Sequence, residues 1–588
     1  MGMAWDIQEA LKYYRQQGAP GDQSALVSLL REIQQEQGGA LQPAFVNQIA
    51  EGLGVKETFL LAVIKRIPGL RLGNAHTLEL CGGPNCSKRA ALAAFVERTY
   101  GPAPKTFTVK YVPCMRLCGK GPNIKWDGKL YHQADEELLK KEHFSVAMSE
   151  EEGAKADKFC EGYMDFLGEC KTERECVDYV IEKAEKKGFT AFDKTKTYKP
   201  GDKVYLNNRG KSIILALMGK QGAKNGVKIV ASHIDSPRLD LKPTPLYEES
   251  ELAYFKTHYY GGIKKYQWVA IPLSLHGVII KADGTSVKVN IGEKEGEPKF
   301  VVTDLLPHLG REQGQRTLSD GIRGEELNIL IGSRPFKDDK GSELVKLNIL
   351  KLLNEKYGIV EKDFISAELE LVPAFPVADV GFDRSLIGAY GHDDRVCAYP
   401  ACEAVFDCDI PERTVIAVLA DKEEIGSDGN TGLNSAYLRY FVEDLAQLDG
   451  VDGRDVLSKS ECLSADVNAG FDPTFPSVHD RYNCCTLNHG AVITKYTGAR
   501  GKSGTSDASA EYVASVRSML EKAGIVWQIG ELGKVDIGGG GTVAMYIANM
   551  GVDVVDLGVP VLSMHAPFET TAKFDVYMCF KAMYEFMK

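Results

Sequence analysis

Two continuous apolar runs constrain the fold of this chain more than any other feature. The stretches VKIVASHID (227–235) and TVIAVLADKEE (414–424) lack a regular apolar–polar alternation and end in charged side chains. Strands of this kind are covered on both faces, as in the middle of a parallel sheet. Helical stretches such as SDASAEYVASVRSMLEKAG (506–524) alternate with them, so the sequence predicts an α/β fold built on a mixed sheet.

The 588 residues are too many for one ordinary core, and the pattern divides them into several domains. Residues 24–67 carry apolar side chains three and four apart and predict three short helices. Two strand-like segments and a helix follow, so we expect a helical bundle and a small α/β unit within residues 1–147. The charged segment 148–159 is expected to be a linker.

Residues 243–372 differ from the rest of the chain. Alternating segments such as HGVIIKADGTSVKVNIG (276–292) predict an inserted antiparallel β domain. The main α/β domain is then expected to comprise residues 160–242 and 373–588.

Charge and hydropathy exclude two classes of partner. The net charge of −11 and the lack of a long basic block disfavour nucleic acid. No apolar run approaches the roughly 18 residues that cross a bilayer, so no membrane span is expected. The first residues lack a secretory pattern, and we therefore expect a cytoplasmic protein in which the 14 cysteines are thiols or ligands.

Four cysteines form two close pairs, each after a predicted strand. Cys81 and Cys86 stand in LCGGPNC, and Cys114 and Cys118 stand in PCMRLC. Four thiolates suit zinc or an iron–sulfur cluster, and these spacings are wider than the usual zinc C-x2-C, which favours a two-iron cluster.

At these residues the chain resembles the thioredoxin-like [2Fe-2S] ferredoxins, including the small iron–sulfur subunit of NADH dehydrogenase, over about residues 22–143. The resemblance implies a thioredoxin-like domain in which Cys81, Cys86, Cys114 and Cys118 bind a [2Fe-2S] cluster that passes single electrons to a redox partner. Where that family usually has a Phe-Tyr pair, this chain has AVIKRIPG (62–69).

A second constellation combines histidines with acids. Its segments are ASHID, GHDD, DKEE, LSAD and LSMH, which carry His233, Asp235, Asp393, Asp394, Glu423, Glu424, Asp466 and His565. Oxygen and imidazole ligands from five separated segments can hold a pair of divalent ions, with one carboxylate bridging them. Two adjacent glutamates allow one to bind metal while its neighbour accepts a proton from water.

The order and wording of these motifs resemble the aspartyl aminopeptidase family over roughly residues 155–588. The resemblance implies that His233, Asp394 and Asp466 bind one metal and that Asp394, Glu424 and His565 bind the other, with Asp394 as the bridge. Glu423 would be the general base, and Asp235 would orient His233. Zinc is the default metal, and manganese or cobalt also suit such ligands.

The resemblance also implies peptide substrates and a homo-oligomer based on dimers, up to a dodecamer, with the β insertion as the dimerisation domain. Tyr266 stands where eukaryotic members carry a histidine that reaches a neighbouring active site. Lys495 and Arg500 could favour an acidic first residue, and Thr542 could touch the substrate. Lys495 and Arg500 also fit a solvated loop, and Thr542 also fits a glycine-rich turn that permits close packing.

The sequence therefore predicts a dinuclear metallo-aminopeptidase fused to a [2Fe-2S] domain. The alternative is an electron-transfer or scaffold subunit of a redox enzyme with an inactive peptidase-like half. Buried acids argue against the alternative, because they are costly without cations.

Overall fold

The computed structural model describes residues 7–36, 41, 43–67, 70, 76–82, 89–100, 107–112, 115, 121–126, 129–134, 138–139, 150–337 and 341–588. The chain divides into two compact units, Met1–Ser149 and Glu150–Lys588, which are described separately. Among the described helices, none combines the length and the apolar character needed to span a lipid bilayer.

The first unit contains helices followed by a small sheet. Its helices are α1 (Ile7–Gln16), α2 (Gln23–Glu36), α3 (Pro43–Leu53), α4 (Glu57–Arg66) and α5 (Arg89–Tyr100). Its strands are β1 (His76–Cys81), β2 (Phe107–Val112), β3 (Ile124–Trp126) and β4 (Lys129–Tyr131). The strand order is β2-β1-β3-β4, with β1 parallel to β2 and antiparallel to β3. Helices α2 to α4 fall where the sequence predicts three helices, and α1 precedes that segment.

The second unit is built on a nine-stranded mixed sheet. The sheet consists of β5 (Thr190–Ala191), β6 (Lys203–Asn208), β7 (Ser212–Leu217), β8 (Lys228–His233), β18 (Val415–Ala420), β19 (Glu461–Ser464), β21 (Ala491–Thr494), β22 (Trp527–Ile529) and β23 (Asp553–Gly558). The order is β22-β21-β23-β19-β8-β18-β7-β6-β5. Every residue of β18 is buried, as its unbroken apolar sequence predicts.

Nine described α-helices lie between or beside the strands of the second unit along the chain. They are α6 (Glu150–Glu169), α7 (Glu173–Lys186), α8 (Leu344–Tyr357), α9 (His392–Asp407), α10 (Tyr437–Leu448), α11 (Gly453–Leu457), α12 (Ala510–Ala523), α13 (Ala544–Ala548) and α14 (Lys573–Met587). One buried cluster joins α10 to β8 and β18 through side chains such as Phe441, Ile229 and Val418. This core holds the central strands in place below their carboxyl ends.

Two smaller sheets complete the second unit. A seven-stranded antiparallel sheet contains β9 (Arg238–Glu249), β10 (Leu252–Tyr260), β11 (Leu273–Ile280), β12 (Ser286–Ile291), β13 (Val301–Val302), β14 (Ile329–Gly332) and β15 (Ala367–Pro373). A five-stranded sheet contains β16 (Ala378–Val380), β17 (Leu386–Ala389), β20 (Asn468–Ala469), β24 (Pro560–Leu562) and β25 (Glu569–Ala572). The antiparallel sheet spans the predicted insertion and begins a few residues earlier, at Arg238.

The expected linker is corrected by the structure. Residues 150–159 form the first half of α6, whose Phe159 ring lies 4.6 Å from that of Phe580 and 5.8 Å from that of Tyr577. Lys581 on the same C-terminal helix pairs with Glu152 at 3.2 Å. A charged segment fits a linker and an exposed helical face equally well, so its composition alone does not reveal the helix.

Candidate metal centre

Three neighbouring parallel strands carry the first group of site residues. β8 lies between β18 and β19 and is parallel to both, so their carboxyl ends meet at one edge of the sheet. His233 is the last residue of β8. Glu423 and Glu424 follow β18, and Asp466 follows β19. Open α/β sheets bind their ligands at this edge, and the topology therefore brings all four side chains together.

The remaining ligand candidates come from segments next to the five-stranded sheet. Asp393 and Asp394 lie at the start of α9, where their backbone angles are not helical. His565 lies between β24 and β25 and has a left-handed backbone conformation with φ of +64°. Such conformations are uncommon outside glycine and often occur at functional sites.

Asp393 lies between the two histidines. Its Oδ1 is 3.0 Å from Nε2 of His233, and its Oδ2 is 3.1 Å from Nε2 of His565. Oε2 of Glu424 lies 3.6 Å from Nε2 of His565, and Oδ1 of Asp466 lies 3.7 Å from Nε2 of His233. Two sets have ligand atoms within 4.8 Å of one another: His233 with Asp394 and Asp466, and His233 with Asp393 and Glu424.

The bridging residue is a correction to the sequence analysis. That position is predicted for Asp394, whereas the carboxylate that faces both histidines belongs to Asp393. Asp394 instead offers its ligand atoms beside His233 and Asp466. The irregular start of α9 separates the directions of these two adjacent side chains, and the sequence gives no sign of that irregularity.

The two adjacent glutamates have different surroundings. The side chain of Glu424 is 3% exposed, whereas that of Glu423 is 17% exposed, so Glu423 is the more accessible to solvent. Burial, with the charges of Asp466 and Asp393, raises the pKa of Glu423 to about 8. A carboxylate with a pKa near neutrality can exchange protons at physiological pH.

The other acids are buried together. Burial raises the pKa of Asp394, Glu424 and Asp466, and repulsion from neighbouring carboxylates adds to the effect. Burial also acts on Asp393, but hydrogen bonds with His233 and His565 outweigh it and hold its pKa below the usual value. The site thus collects more negative charge than its own side chains neutralise.

The residues present fit a pair of divalent cations. Oε1 of Glu424 and both carboxylate oxygens of Asp394 are buried and have no hydrogen-bond partner of normal geometry. Buried oxygens without a partner are costly unless a cation or a proton satisfies them. Imidazole and carboxylate ligands suit zinc and manganese, so the donor set agrees with the predicted metal.

Asp235 contacts three of the site residues, His233, Glu423 and Glu424. Its carboxylate lies 3.3 Å from Nδ1 of His233, and its backbone carbonyl lies 3.0 Å from the same nitrogen. The carboxylate also accepts hydrogen bonds from the backbone N–H groups of Glu423 (3.1 Å) and Glu424 (3.2 Å) and from the Tyr260 hydroxyl (2.8 Å). Asp235 therefore contacts His233, as predicted for its orienting role, and also holds the backbone of both glutamates.

A Gly-Gly turn after β10 brings the antiparallel sheet to the site. Nδ1 of His565 lies 2.8 Å from the carbonyl oxygen of Gly262, which leaves Nε2 directed at Asp393. Gly261 has φ of +75°, and a Cβ at this residue would lie 3.1 Å from Oε2 of Glu424. Glycine is therefore favoured here by both conformation and space. Tyr266, farther along the segment, is exposed.

Two buried acids escaped the sequence analysis. Glu569 accepts hydrogen bonds from the backbone N–H groups of His565 (2.7 Å) and Asp393 (3.1 Å). Asp556 accepts hydrogen bonds from Ser464 (2.9 Å) and from Thr542 (2.7 Å). Acceptance of a hydrogen bond from a distant residue has no sequence signature, so no pattern in the sequence could have assigned either role.

Among the predicted substrate-binding residues, Lys495 and Thr542 have side-chain partners within the chain. Nζ of Lys495 lies 2.6 Å from Oδ1 of Asp507, and Nζ of Lys502 lies 2.8 Å from Oδ2 of the same carboxylate. Thr542 donates to Asp556, which pairs with Ser464 at the end of the strand that precedes Asp466. Arg500 lies on the exposed loop with a left-handed backbone conformation. Contact of Lys495, Arg500 and Thr542 with substrate stays a prediction.

One of the four predicted iron–sulfur ligands belongs to the described residues. Cys81 is the last residue of β1, is buried, and its Sγ accepts a hydrogen bond from the backbone N–H of Met115 at 3.4 Å. Hydrogen bonds of this kind are common at cluster thiolates and tune their potential. Cys86, Cys114 and Cys118 lie outside the described residues.

Comparison with protein families gives one match for each unit. Residues 166–587 match the family described as aminopeptidase I zinc metalloprotease (M18). Residues 7–142 match the thioredoxin-like [2Fe-2S] ferredoxin family. The two matched ranges agree with the two resemblances inferred from the motifs.

Individual relatives extend the first match. A probable M18 family aminopeptidase 1 from Clostridium acetobutylicum is 52% identical over 423 residues, which cover 71% of this chain and 91% of the relative. The crystal structure of an M18 aminopeptidase from Thermotoga maritima has a TM-score of 0.71 and 44% identity and covers 74% of this chain and 97% of its own. The structure of the S. cerevisiae mApe1 dodecamer shares the fold, with a TM-score of 0.60 and 23% identity. The match covers 74% of this chain and 96% of the mApe1 chain.

Proposed function

Because the chain belongs to the M18 family of zinc metallo-aminopeptidases, we propose that it removes single N-terminal residues from peptides at a centre that binds two divalent metal ions. The observation that carries the proposal is the convergence of two histidines and four acids, with Asp393 at 3.0 and 3.1 Å from the two histidines and two sets of ligand atoms within 4.8 Å of one another. Glu423 lies beside this group and is the more accessible of the adjacent glutamates.

The residues of the site divide into two ligand sets around Asp393. We assign His233 and Asp466 to one metal and Glu424 and His565 to the other, with Asp393 between them. Asp394 lies beside the first set, and its buried oxygens would interact with the same charge. When bound, the two cations would polarise the scissile carbonyl, lower the pKa of water and bind the free α-amine of the substrate.

Glu423 performs the proton transfers in this proposal. Its carboxylate accepts a proton from the attacking water and returns it to the amine that leaves when the peptide bond breaks. Asp235 keeps Glu423 in place through the backbone N–H of that residue and keeps His233 oriented through its ring.

The fused ferredoxin-like domain adds a second cofactor. The family of the first unit binds a [2Fe-2S] cluster, and we infer that Cys81, Cys86, Cys114 and Cys118 hold it here and exchange single electrons with a redox partner. The buried position of Cys81 and the N–H donor at its sulfur support this ligand.

Assembly of several copies is also part of the proposal. The loop between β13 and β14 exposes Leu305, Leu306, Leu309 and Leu318, with exposed fractions of 52%, 50%, 68% and 72%. Exposed leucines in one loop are typical of surfaces that become covered by a partner. We infer that the antiparallel sheet contributes to a homo-oligomer, and the number of subunits stays a prediction.

One experiment tests the catalytic proposal directly. The full chain is purified without oxygen, its iron, sulfide and zinc are measured, and a panel of aminoacyl substrates is assayed before and after treatment with a chelator. We expect amino-terminal cleavage that the chelator abolishes and added zinc or manganese restores. Iron and sulfide without any cleavage would instead favour an electron-transfer or scaffold subunit.

A further inference from the structure

Glu569 joins two distant parts of the candidate metal centre. It is the first residue of β25, it pairs across the sheet with Ala389 of β17, and only 1% of its surface is exposed. Its Oε1 accepts the backbone N–H of His565 at 2.7 Å, and its Oε2 accepts that of Asp393 at 3.1 Å. One carboxylate therefore satisfies a backbone donor in each of two segments that are far apart in the sequence.

Both segments need such support. His565 has a left-handed backbone conformation, which a residue with a side chain adopts only when its surroundings hold it there. Asp393 lies at the irregular start of α9, where regular helical hydrogen bonding does not fix its backbone. Their side chains meet at 3.1 Å, between Nε2 of His565 and Oδ2 of Asp393.

A carboxylate is the side chain that this position requires. Its two oxygens accept hydrogen bonds independently, whereas the amide of glutamine has one accepting oxygen and an NH2 group. With glutamine, one of the two backbone N–H groups would face another donor. The geometry of either His565 or Asp393 would then be free to change.

We propose that Glu569 is a positioning residue that ties His565 to Asp393 and thereby sets the metal affinity of the centre. The inference rests on the proposed function, because it takes His565 and Asp393 to be metal ligands. Asp235 acts in a comparable way on Glu423 and Glu424, because it accepts hydrogen bonds from their backbone N–H groups. The two buried acids together hold the backbone of four site residues.

Asp575 provides a matched control. It is a fully buried carboxylate on α14 that accepts the backbone N–H groups of Asn488 (2.6 Å) and Gly490 (2.7 Å). It makes the same kind of contact as Glu569, but it holds a loop that carries none of the proposed ligands. A purely structural role for Glu569 predicts equal consequences for Glu569→Gln and Asp575→Asn.

The experiment measures zinc affinity by titrating the metal-depleted full chain with Zn²⁺ against a chromogenic chelator. We expect Glu569→Gln to raise the zinc Kd about 10- to 100-fold, the usual effect of losing a group that orients a ligand. Asp575→Asn should leave Kd near the value of the unaltered protein, while both variants lower the thermal midpoint. The shorter Glu569→Asp keeps both acceptors and should give an intermediate Kd.

A zinc Kd for Glu569→Gln equal to that of the unaltered protein, or an equal rise in Asp575→Asn, would overturn the proposal. If Glu569→Gln does not fold, Glu569→Asp is judged by the same comparison, and an unchanged Kd has the same meaning. Absence of zinc binding in the unaltered protein also overturns it. A protein that binds zinc but cleaves no aminoacyl substrate contradicts the proposed function and leaves the test of Glu569 intact.

Discussion

The pair Glu423 and Glu424 shows how adjacent identical residues acquire different surroundings. Asp235 accepts a hydrogen bond from the backbone N–H of each residue, which fixes the turn. The Glu424 side chain is 3% exposed and that of Glu423 is 17% exposed. Glu424 lies 3.6 Å from His565, among the ligand candidates. Oε2 of Glu423 lies 3.8 Å from Nε2 of His233, and burial of this side chain raises its pKa to about 8.

Substitution of the two glutamates should therefore have separable effects. We expect Glu423→Gln to lower kcat by about 10²- to 10⁴-fold, the usual contribution of a general base, with zinc content near normal. We expect Glu424→Gln to lower zinc content as well as activity, because that side chain lies among the ligands. Metal analysis and steady-state kinetics on both variants distinguish the roles, and equal metal loss in Glu423→Gln would contradict the assignment.

The pairing of Lys495 with Asp507 predicts a weak preference for acidic first residues. Asp507→Asn removes the partner of Lys495 and should raise kcat/KM for an acidic relative to a neutral first residue by up to about fivefold, since exposed ion pairs are worth about 0.2–1 kcal/mol. Lys495→Met, assayed on the same pair of substrates, should lower that ratio. No change of the ratio in either variant would remove Lys495 from the substrate site.

At the scale of elements, β10 links the inserted sheet to the catalytic edge. Tyr260 at its end donates to Asp235 at 2.8 Å and stacks with the Arg238 guanidinium, whose Cζ is 3.9 Å from the ring centre. We expect Tyr260→Phe to reduce kcat about tenfold with a smaller change in KM, because Asp235 loses one of its donors. Tyr259→Phe, the exposed neighbour, is the control and should retain full kcat.

The junction between α7 and the inserted sheet contains a buried charged group. His276 on β11 lies 2.8 Å from Oε1 of Glu175 and 3.0 Å from Oε1 of Glu293. Glu175 also caps α7 through the backbone N–H of Thr172. Burial lowers the pKa of His276, but the two glutamates outweigh it and raise the pKa above its usual value. Hydrogen bonding with His276 overcomes burial and lowers the pKa of Glu293 to about 2.

This junction predicts a pH-dependent stability. The raised pKa of His276 stabilises the folded state below about pH 6.5, and that contribution is lost as the pH rises through the folded value. The lowered pKa of Glu293 stabilises it above about pH 4.5, and that contribution is lost as the pH falls towards 2. We expect His276→Gln to reduce the urea midpoint more at pH 5.5 than at pH 9. An equal reduction at the two pH values would contradict the charged junction.

The convergence of the residues at the strand ends was predictable from the sequence, because neighbouring parallel strands end at the same edge of a sheet. Apolar runs identify β8 and β18, and parallel neighbours necessarily present His233, Glu424 and Asp466 at one edge. The choice between Asp393 and Asp394 depends on an irregular helix start, and the sequence does not encode that in any periodic pattern. Glu569 acts through backbone donors, which every residue possesses, and so its partners become visible only in the fold.

At the scale of the whole molecule, the two units carry separate sets of ligands. Cys81 belongs to the first unit, and every proposed zinc ligand belongs to the second. We expect Cys81→Ser to abolish the visible absorption of the [2Fe-2S] cluster and to leave zinc content and kcat/KM unchanged. Iron analysis, spectroscopy and the peptidase assay on one preparation check this, and a parallel fall in kcat/KM would show that the cluster state affects hydrolysis.

Helix α6 determines where a fragment that contains only the second unit must begin. A shortened protein that starts at residue 160, as the composition suggests, would lack Phe159 and Glu152 and would leave the rings of Tyr577 and Phe580 bare. Such a fragment would tend to aggregate through the uncovered aromatic surface. A fragment that starts at residue 150 keeps the whole helix and should stay monodisperse and well folded.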